Sequence, residues 1–163
     1  MKKLCLIRHA KSEWAHEGLQ DIDRPLNERG YADARSMSLR LKASGINPNG
    51  LYSSTAIRAA STALIFARTF GLDEKQCLFT SKLYGADEED FLEVLRSLPG
   101  TWETVLVFGH NETISAVANR LGGSEIGHLP TCGTVVLETS IPRWAMLGGT
   151  CKLLQFDFPK NVG

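Results

Sequence analysis

The sequence predicts an α/β protein, a three-layer α/β/α sandwich around a mostly parallel central sheet. Three observations carry this. Short apolar runs alternate with amphipathic stretches along the chain, the pattern of βα units. The runs Leu4-Cys5-Leu6-Ile7 and Val105-Leu106-Val107-Phe108 are continuously apolar, as strands covered on both faces are. The chain has 163 residues, 43% of them hydrophobic. That is enough to bury an ordinary core without metal or disulfide staples.

The first strand is Leu4 to Ile7, followed by a polar stretch from Ser12 to Arg24 that reads as a loop. Pro25-Leu26-Asn27 then leads into a helix, with Asn27 as its N-cap. Tyr31, Ala34, Met37 and Leu41 recur at helical spacing and form its expected buried stripe. Gly45 and Pro48 end it. Leu51-Tyr52-Ser53 is a short strand. Ser54 or Thr55 caps the next helix, whose expected inner face is Ile57, Ala60, Leu64 and Ala67, and Gly71 closes it. Cys77-Leu78-Phe79 is a further strand. Phe91, Val94, Leu95 and Leu98 mark a helix ended by Pro99-Gly100. The strand at 105–108 runs into Gly109-His110-Asn111 and a helix carrying Ile114, Val117, Ala118 and Leu121. Gly122-Gly123 stops it. Thr134 to Leu137 and Lys152 to Phe156 read as an antiparallel hairpin at a sheet edge.

Charge narrows the function classes. Lys+Arg and Asp+Glu both number 18, so the formal net charge is zero. A protein that binds nucleic acid or a membrane through bulk positive charge is not expected. The apolar run after Met1-Lys2-Lys3 stops at Arg8, too short for a signal peptide, and no run of about 18 apolar residues occurs. The expectation is a cytoplasmic protein with reduced thiols. Cys5, Cys77, Cys132 and Cys151 form no C-x-x-C pair, which argues against zinc.

Chemistry is expected at the carboxyl ends of the strands, where open α/β sheets bind ligands. The first strand ends in Arg8-His9 and the fourth in Gly109-His110. A third leads into Ser53-Ser54-Thr55, with Arg58 one helical turn on. If these strands are adjacent and parallel, His9, His110, Arg8 and Arg58 meet on one rim. Two arginines and two histidines around one hole suit a tetrahedral dianion, most simply a phosphoryl group. Competing phosphate chemistries lack their residues. There is no G-x-x-x-x-G-K-[ST] loop and no G-x-G-x-x-G after a strand. No cysteine has Arg six residues later; the residues there are Lys11, Leu83, Glu138 and Asp157. Asp21-Ile22-Asp23 resembles the paired aspartates of an aspartyl-phosphate enzyme, but no apolar strand precedes it.

These residues carry a family resemblance. Arg8-His9-Ala10 resembles the R-H-G signature of the histidine phosphatase superfamily, with Ala in place of Gly. Asp23-Arg24-Pro25-Leu26-Asn27-Glu28-Arg29-Gly30 is similar to its R-P-L-[TS]-x-x-G segment. The stretch from Ser53 to Ala63 resembles S-x-x-x-R-A-x-x-T-A, and Gly109-His110 resembles the second G-H motif. The order is right over essentially the whole chain. Its short length and intact R-P-L segment are most similar to the SixA-type phosphohistidine phosphatases.

The resemblance implies a phosphoglycerate-mutase-like fold and a single histidine phosphatase domain over residues 1–163. It implies a phosphatase working through a phosphohistidine enzyme intermediate, with no metal and no cofactor. Its catalytic residues would be His9, Arg8, Arg58 and His110. Arg24, Lys11 and Ser12 would edge the phosphoryl site. The partner would be a phosphorylated protein bearing phosphohistidine, or a small phosphorylated substrate.

Departures from the pattern bear on the proton donor. Many members carry an acid in an L-x-E segment or directly after the second His. Here the corresponding positions are Gly85, in Leu83-Tyr84-Gly85, and Asn111. Asp87 and Glu88 lie just beyond and are the candidate donors, unless they serve only the helix that follows. A small-molecule phosphomonoesterase, a mutase and a non-catalytic phosphoprotein-binding module remain open alternatives. The mutase is disfavoured because only 51 residues separate Arg58 from His110. If His9 attacks unprotonated while His110 works protonated, a narrow pH optimum is expected.

Overall fold

A computed structural model describes residues 1–14, 17–123 and 126–162. Six strands form one sheet in the order β3-β2-β4-β1-β5-β6. They are β1 (Lys2–Arg8), β2 (Gly50–Ser54), β3 (Cys77–Thr80), β4 (Thr104–Gly109), β5 (Thr134–Thr139) and β6 (Lys152–Asp157). The pairs β1–β4, β2–β4 and β2–β3 are parallel. Strand β5 runs antiparallel to both β1 and β6, so the expected hairpin closes one edge. Four helices flank the sheet: α1 (Glu28–Ala43), α2 (Ile57–Phe70), α3 (Glu88–Arg96) and α4 (Thr113–Gly122). Part of the polar stretch from Ser12 to Arg24, residues 15 and 16, lies outside the described residues.

Continuously apolar strands produce the three layers. Alternate residues of a strand point to opposite faces. Leu4, Leu6, Val105 and Val107 join one core with α3 and α4. Cys5, Ile7, Leu106 and Phe108 join the other with residues of α1 and α2. The result is the mostly parallel α/β/α sandwich that the alternation of apolar runs and amphipathic stretches predicts.

Two helix faces differ from the sequence expectation. In α1, Ala34, Met37 and Leu41 are buried, but Tyr31 is 40% exposed. Gly30 takes the inward position instead, because a Cβ there would overlap the Lys11 carbonyl. Asn27 caps the helix as expected, accepting from Gly30 N at 2.8 Å. In α2, Ile57 and Leu64 are exposed, and the inward stripe is Arg58, Ala59, Thr62, Ala63 and Phe66. The inward face includes the polar Arg58 and Thr62, so a stripe chosen from apolar residues alone sets the rotation wrongly. Phe66 packs edge-on against Phe108, with centroids 5.1 Å apart. Burying a large apolar side chain contributes about 1.5–3 kcal/mol. The same rotation carries Arg58 and Thr62 to the sheet end. The N-cap position of α2 is Ala56; Ser54 Oγ accepts from Ala56 N at 3.2 Å.

Strand register sets up the site. Arg8 pairs with Gly109, so His9 and His110 leave the sheet side by side. Ser53 pairs with Phe108, which brings Ser54 beside the same point.

Candidate active site

His9, Arg8, Arg58 and His110 are drawn to the carboxyl end of β1, β4 and β2. The His9 and His110 rings lie with centroids 5.2 Å apart, tilted by 51°. His9 is 7% exposed. Its backbone N donates to Gly109 O at 3.1 Å, and its own carbonyl accepts from Cys132 N at 3.0 Å. Its Nδ1 lies 2.7 Å from Ala10 O. A carbonyl can only accept, so Nδ1 carries the proton and Nε2 keeps a free lone pair. Thr62 ties this turn to α2. Its hydroxyl accepts from Ala10 N at 3.0 Å and donates to Arg58 O at 2.7 Å.

His110 is held by a side chain. Its Nε2 lies 2.8 Å from Ser54 Oγ. Its Nδ1 is buried and has no partner among the described residues. Arg8 Nη1 donates to Leu129 O at 3.0 Å. Arg58 donates through Nη1 to Asp21 O at 2.7 Å and through Nη2 to Asp21 Oδ2 at 3.0 Å. Arg8 Nε and Arg58 Nε, like His110 Nδ1, are buried without a partner. Buried polar groups are nearly always satisfied. Arg24 Nε, though within ion-pair distance of Asp21, is a fourth such atom among the described residues, so the arginine and histidine nitrogens of this end keep donor capacity that an anion can take up.

The imidazoles are neutral. Burial pushes His9 down to about 3, helped by the positive surroundings of His110, Arg58 and Arg8 and opposed by the Ala10 carbonyl. Burial and then Arg58 push His110 down to about 4. The expected protonated His110 therefore does not hold for the site with no anion in it.

The cleft over this end measures about 290 Å³ and includes Asp21, Arg58, Tyr84, His110, Asn111 and Thr113. A cleft of about 530 Å³ along α3 adjoins it through Tyr84, Gly85 and Ala86.

The other sequence candidates go elsewhere or to the rim. Arg24 pairs with Asp21 Oδ1 at 3.1 Å and stacks on Trp14, 5.3 Å from the ring centroid. Lys11 is exposed; its backbone carbonyl accepts from Asn27 N at 3.0 Å. Ser12 is buried in a bridge with Leu26. Asp87 is the N-cap of α3 and accepts from Asp90 N at 2.8 Å. Glu88 pairs with Arg120 at 3.2 Å. Both acids thus serve the helix start and its neighbour, and neither lines the cleft. Asn111 Nδ2 donates to Leu129 O at 3.0 Å, bracing the carbonyl that also receives Arg8.

Sequence reasoning missed Asp21, Tyr84, Ser54 and Thr62 as parts of the site. In sequence Asp21 is visible only in the Asp21-Ile22-Asp23 pair of aspartates. Its Oδ2 accepts from the Tyr84 hydroxyl at 2.6 Å. That bond, reinforced by Arg58, holds the Asp21 carboxyl below its ordinary range. Among the described residues, no group of three or more His, Cys, Asp or Glu could hold a metal ion.

Known proteins are similar to this chain in sequence and in fold. Residues 4–78 match the family model of the histidine phosphatase superfamily, branch 1. A structure from Agrobacterium tumefaciens assigned as phosphohistidine phosphatase SixA is 28% identical. The match covers 95% of this chain and 97% of that one, with a TM-score of 0.81. A second structure so assigned, from Nakamurella multipartitia, is 26% identical, covers 98% and 96%, and has a TM-score of 0.83. An uncharacterized protein of Mycobacterium tuberculosis is 32% identical over 165 residues, 94% of this chain and 100% of the relative. Two neutral imidazoles and two arginines at matching strand ends agree with these likenesses: the chain belongs to the histidine phosphatase superfamily and is a phosphatase.

Proposed function

We propose that residues 1–163 act as one phosphatase domain that removes the phosphoryl group from phosphohistidine on a protein, with His9 as nucleophile. The observation that carries this is the pair of buried arginine Nε–H groups, of Arg8 and Arg58, without a partner among the described residues, together with an imidazole, His9, whose Nε2 is free.

In the first step the His9 Nε2 lone pair forms a bond to phosphorus, and the P–N bond of the substrate breaks in line. The departing electron pair stays on the substrate imidazole. Arg8 and Arg58 hold equatorial oxygens through Nε and offset the charge that spreads over them. Ser54 can give its proton to His110 Nε2, which leaves Nδ1–H of His110 to donate to a third oxygen. In the second step water forms a bond to phosphorus, the His9–phosphorus bond breaks, and its pair returns to Nε2. Inorganic phosphate leaves.

The substrate class follows from the acid that the cleft lacks. Asp21 is the carboxylate among the described cleft residues, and Tyr84 and Arg58 hold it ionised. Asp87 and Glu88 are committed elsewhere. An alkyl alcohol would have to depart as an alkoxide. The imidazole of a phosphohistidine, protonated at its other ring nitrogen, departs as a neutral ring and needs no acid from the site. Assignment of two structural relatives as SixA supports the same choice.

The test is a turnover comparison between a phosphohistidine-bearing protein and alkyl phosphates. General acid assistance is typically worth about 10²–10⁴-fold, so kcat/KM should favour phosphohistidine by more than about 10². Equal turnover of alkyl monoesters would instead support the small-molecule phosphomonoesterase.

A further inference from the structure

Arg58 enters the site with its outer edge already occupied. Both of its terminal nitrogens donate to one residue, Asp21, one to the backbone carbonyl and one to the carboxylate. Its Nε is the nitrogen left buried and without a partner among the described residues. A guanidinium is a rigid planar fork. Fixing both Nη atoms therefore fixes the direction of Nε–H as well. The Asp21 carboxylate is itself held from three sides, by Arg58, by the Tyr84 hydroxyl at 2.6 Å and by Arg24 Nε at 3.1 Å. Tyr84 stands edge-on to His110, with ring centroids 5.7 Å apart. Asp21 thus links two groups that arrive on different elements, Arg58 from α2 and His110 from the end of β4.

We propose that Asp21 is a positioning residue: it clamps Arg58 by the outer edge so that Nε–H faces the phosphoryl group, and Tyr84 locks this clamp beside His110. The Asp21 side chain is 54% exposed but the Arg58 side chain only 7%, so the contact also compensates a buried charge, and the clamp is distinguished from that structural role by its effect on kcat and on oxyanion binding. The proposal rests on the reading of Arg58 as a phosphoryl ligand. A rival role exists for the same contact: an internal anion that competes with phosphate for Arg58. The two roles differ in sign. Removing a clamp weakens catalysis and oxyanion binding, whereas removing a competitor strengthens both.

The experiment uses the full chain, nitrophenyl phosphate as substrate and orthovanadate as inhibitor, with melting curves for every variant. D21A should lower kcat by about 10–100-fold with KM within about threefold, because misplacement of a ligating group by about 1 Å costs on that order. Vanadate inhibition should weaken by a similar factor. D21N keeps an acceptor oxygen in place and should recover to within about fivefold of the parent, and Y84F should lose about two- to fivefold, as expected for one hydrogen bond. Y84F should melt within about 2 °C of the parent, whereas D21A, which leaves the buried Arg58 without its counter-charge, should melt lower. Tighter vanadate inhibition with a raised kcat/KM in D21A would establish the competitor and overturn the clamp. So would unchanged kcat in D21A, or a D21N loss as deep as that of D21A with a lowered Tm. R58A separates the two levels. If R58A keeps its activity, the reading of Arg58 as a ligand fails; if R58A is crippled and D21A is not, the clamp alone fails.

Discussion

His9 and His110 leave the sheet one step past the same register pair, Arg8 against Gly109, yet the fold grips them differently. His9 is buried, and its Nδ1 is fixed by the backbone carbonyl of Ala10. Its tautomer is written into the chain path and no side chain can change it. His110 is half-buried, and its Nε2 meets a hydroxyl, Ser54, which can donate or accept. One imidazole is locked with a bare lone pair outward. The other can present a proton or release it. A nucleophile needs the first arrangement, and a ligand for changing charge needs the second.

This contrast can be broken most severely at His9. H9A should abolish turnover of every substrate, since His9 is the imidazole whose Nε2 lone pair the backbone leaves free. Loss of a nucleophile costs about 10⁶ in kcat where measured, so residual activity above about a thousandth of the parent would end the covalent role. H110A should cost less, about 10²–10³-fold in kcat, the usual loss of one donor to a developing oxyanion. A loss as complete as that of H9A would mean the two imidazoles are not divided in role. S54A should cost about tenfold or less, the worth of one hydrogen bond, and it should leave any phosphoryl transfer to His9 intact.

A pH measurement sharpens the comparison. Both imidazoles sit well below their ordinary 6.5 because burial penalises the charged ring, His9 at about 3 and His110 at about 4. The unfolded chain takes up those protons near 6.5, and the native site resists until far lower. Stability from this source is complete above about pH 6.5 and is lost as pH falls toward 4 and then 3. Tm should drop across that window, and the drop should be shallower in H110N. An equally steep drop in H110N would place the acid sensitivity elsewhere. The smallest effect belongs to the two acids drawn off to α3. D87N and E88Q should each leave kcat within about twofold, since capping and exposed ion-pair contacts act on helix stability.

Much of this was legible in the sequence, and the exceptions share a cause. The strand runs gave the sheet, and Arg8-His9, Arg58 and Gly109-His110 gave the four groups at its end. Periodicity failed at α2, because the observed inner face carries the polar Arg58 and Thr62, which a stripe of apolar residues leaves out. Asp21 and Tyr84 were illegible as a pair because 62 residues lie between them and only the tertiary fold brings the hydroxyl to the carboxylate. Asp87 was misleading because a carboxylate near a helix start looks the same in sequence whether it caps the helix or donates a proton.

The central claim is that His9 carries the phosphoryl group between substrate and water. It is tested most directly by mixing the protein with a radiolabelled phosphohistidine-bearing protein, quenching in alkali within one turnover and mapping the label. The account predicts alkali-stable, acid-labile label on the peptide containing His9, absent in H9A and accumulating in H110A. Label on any other residue, or phosphate release by H9A at the parent's rate with no label on the protein, would contradict it.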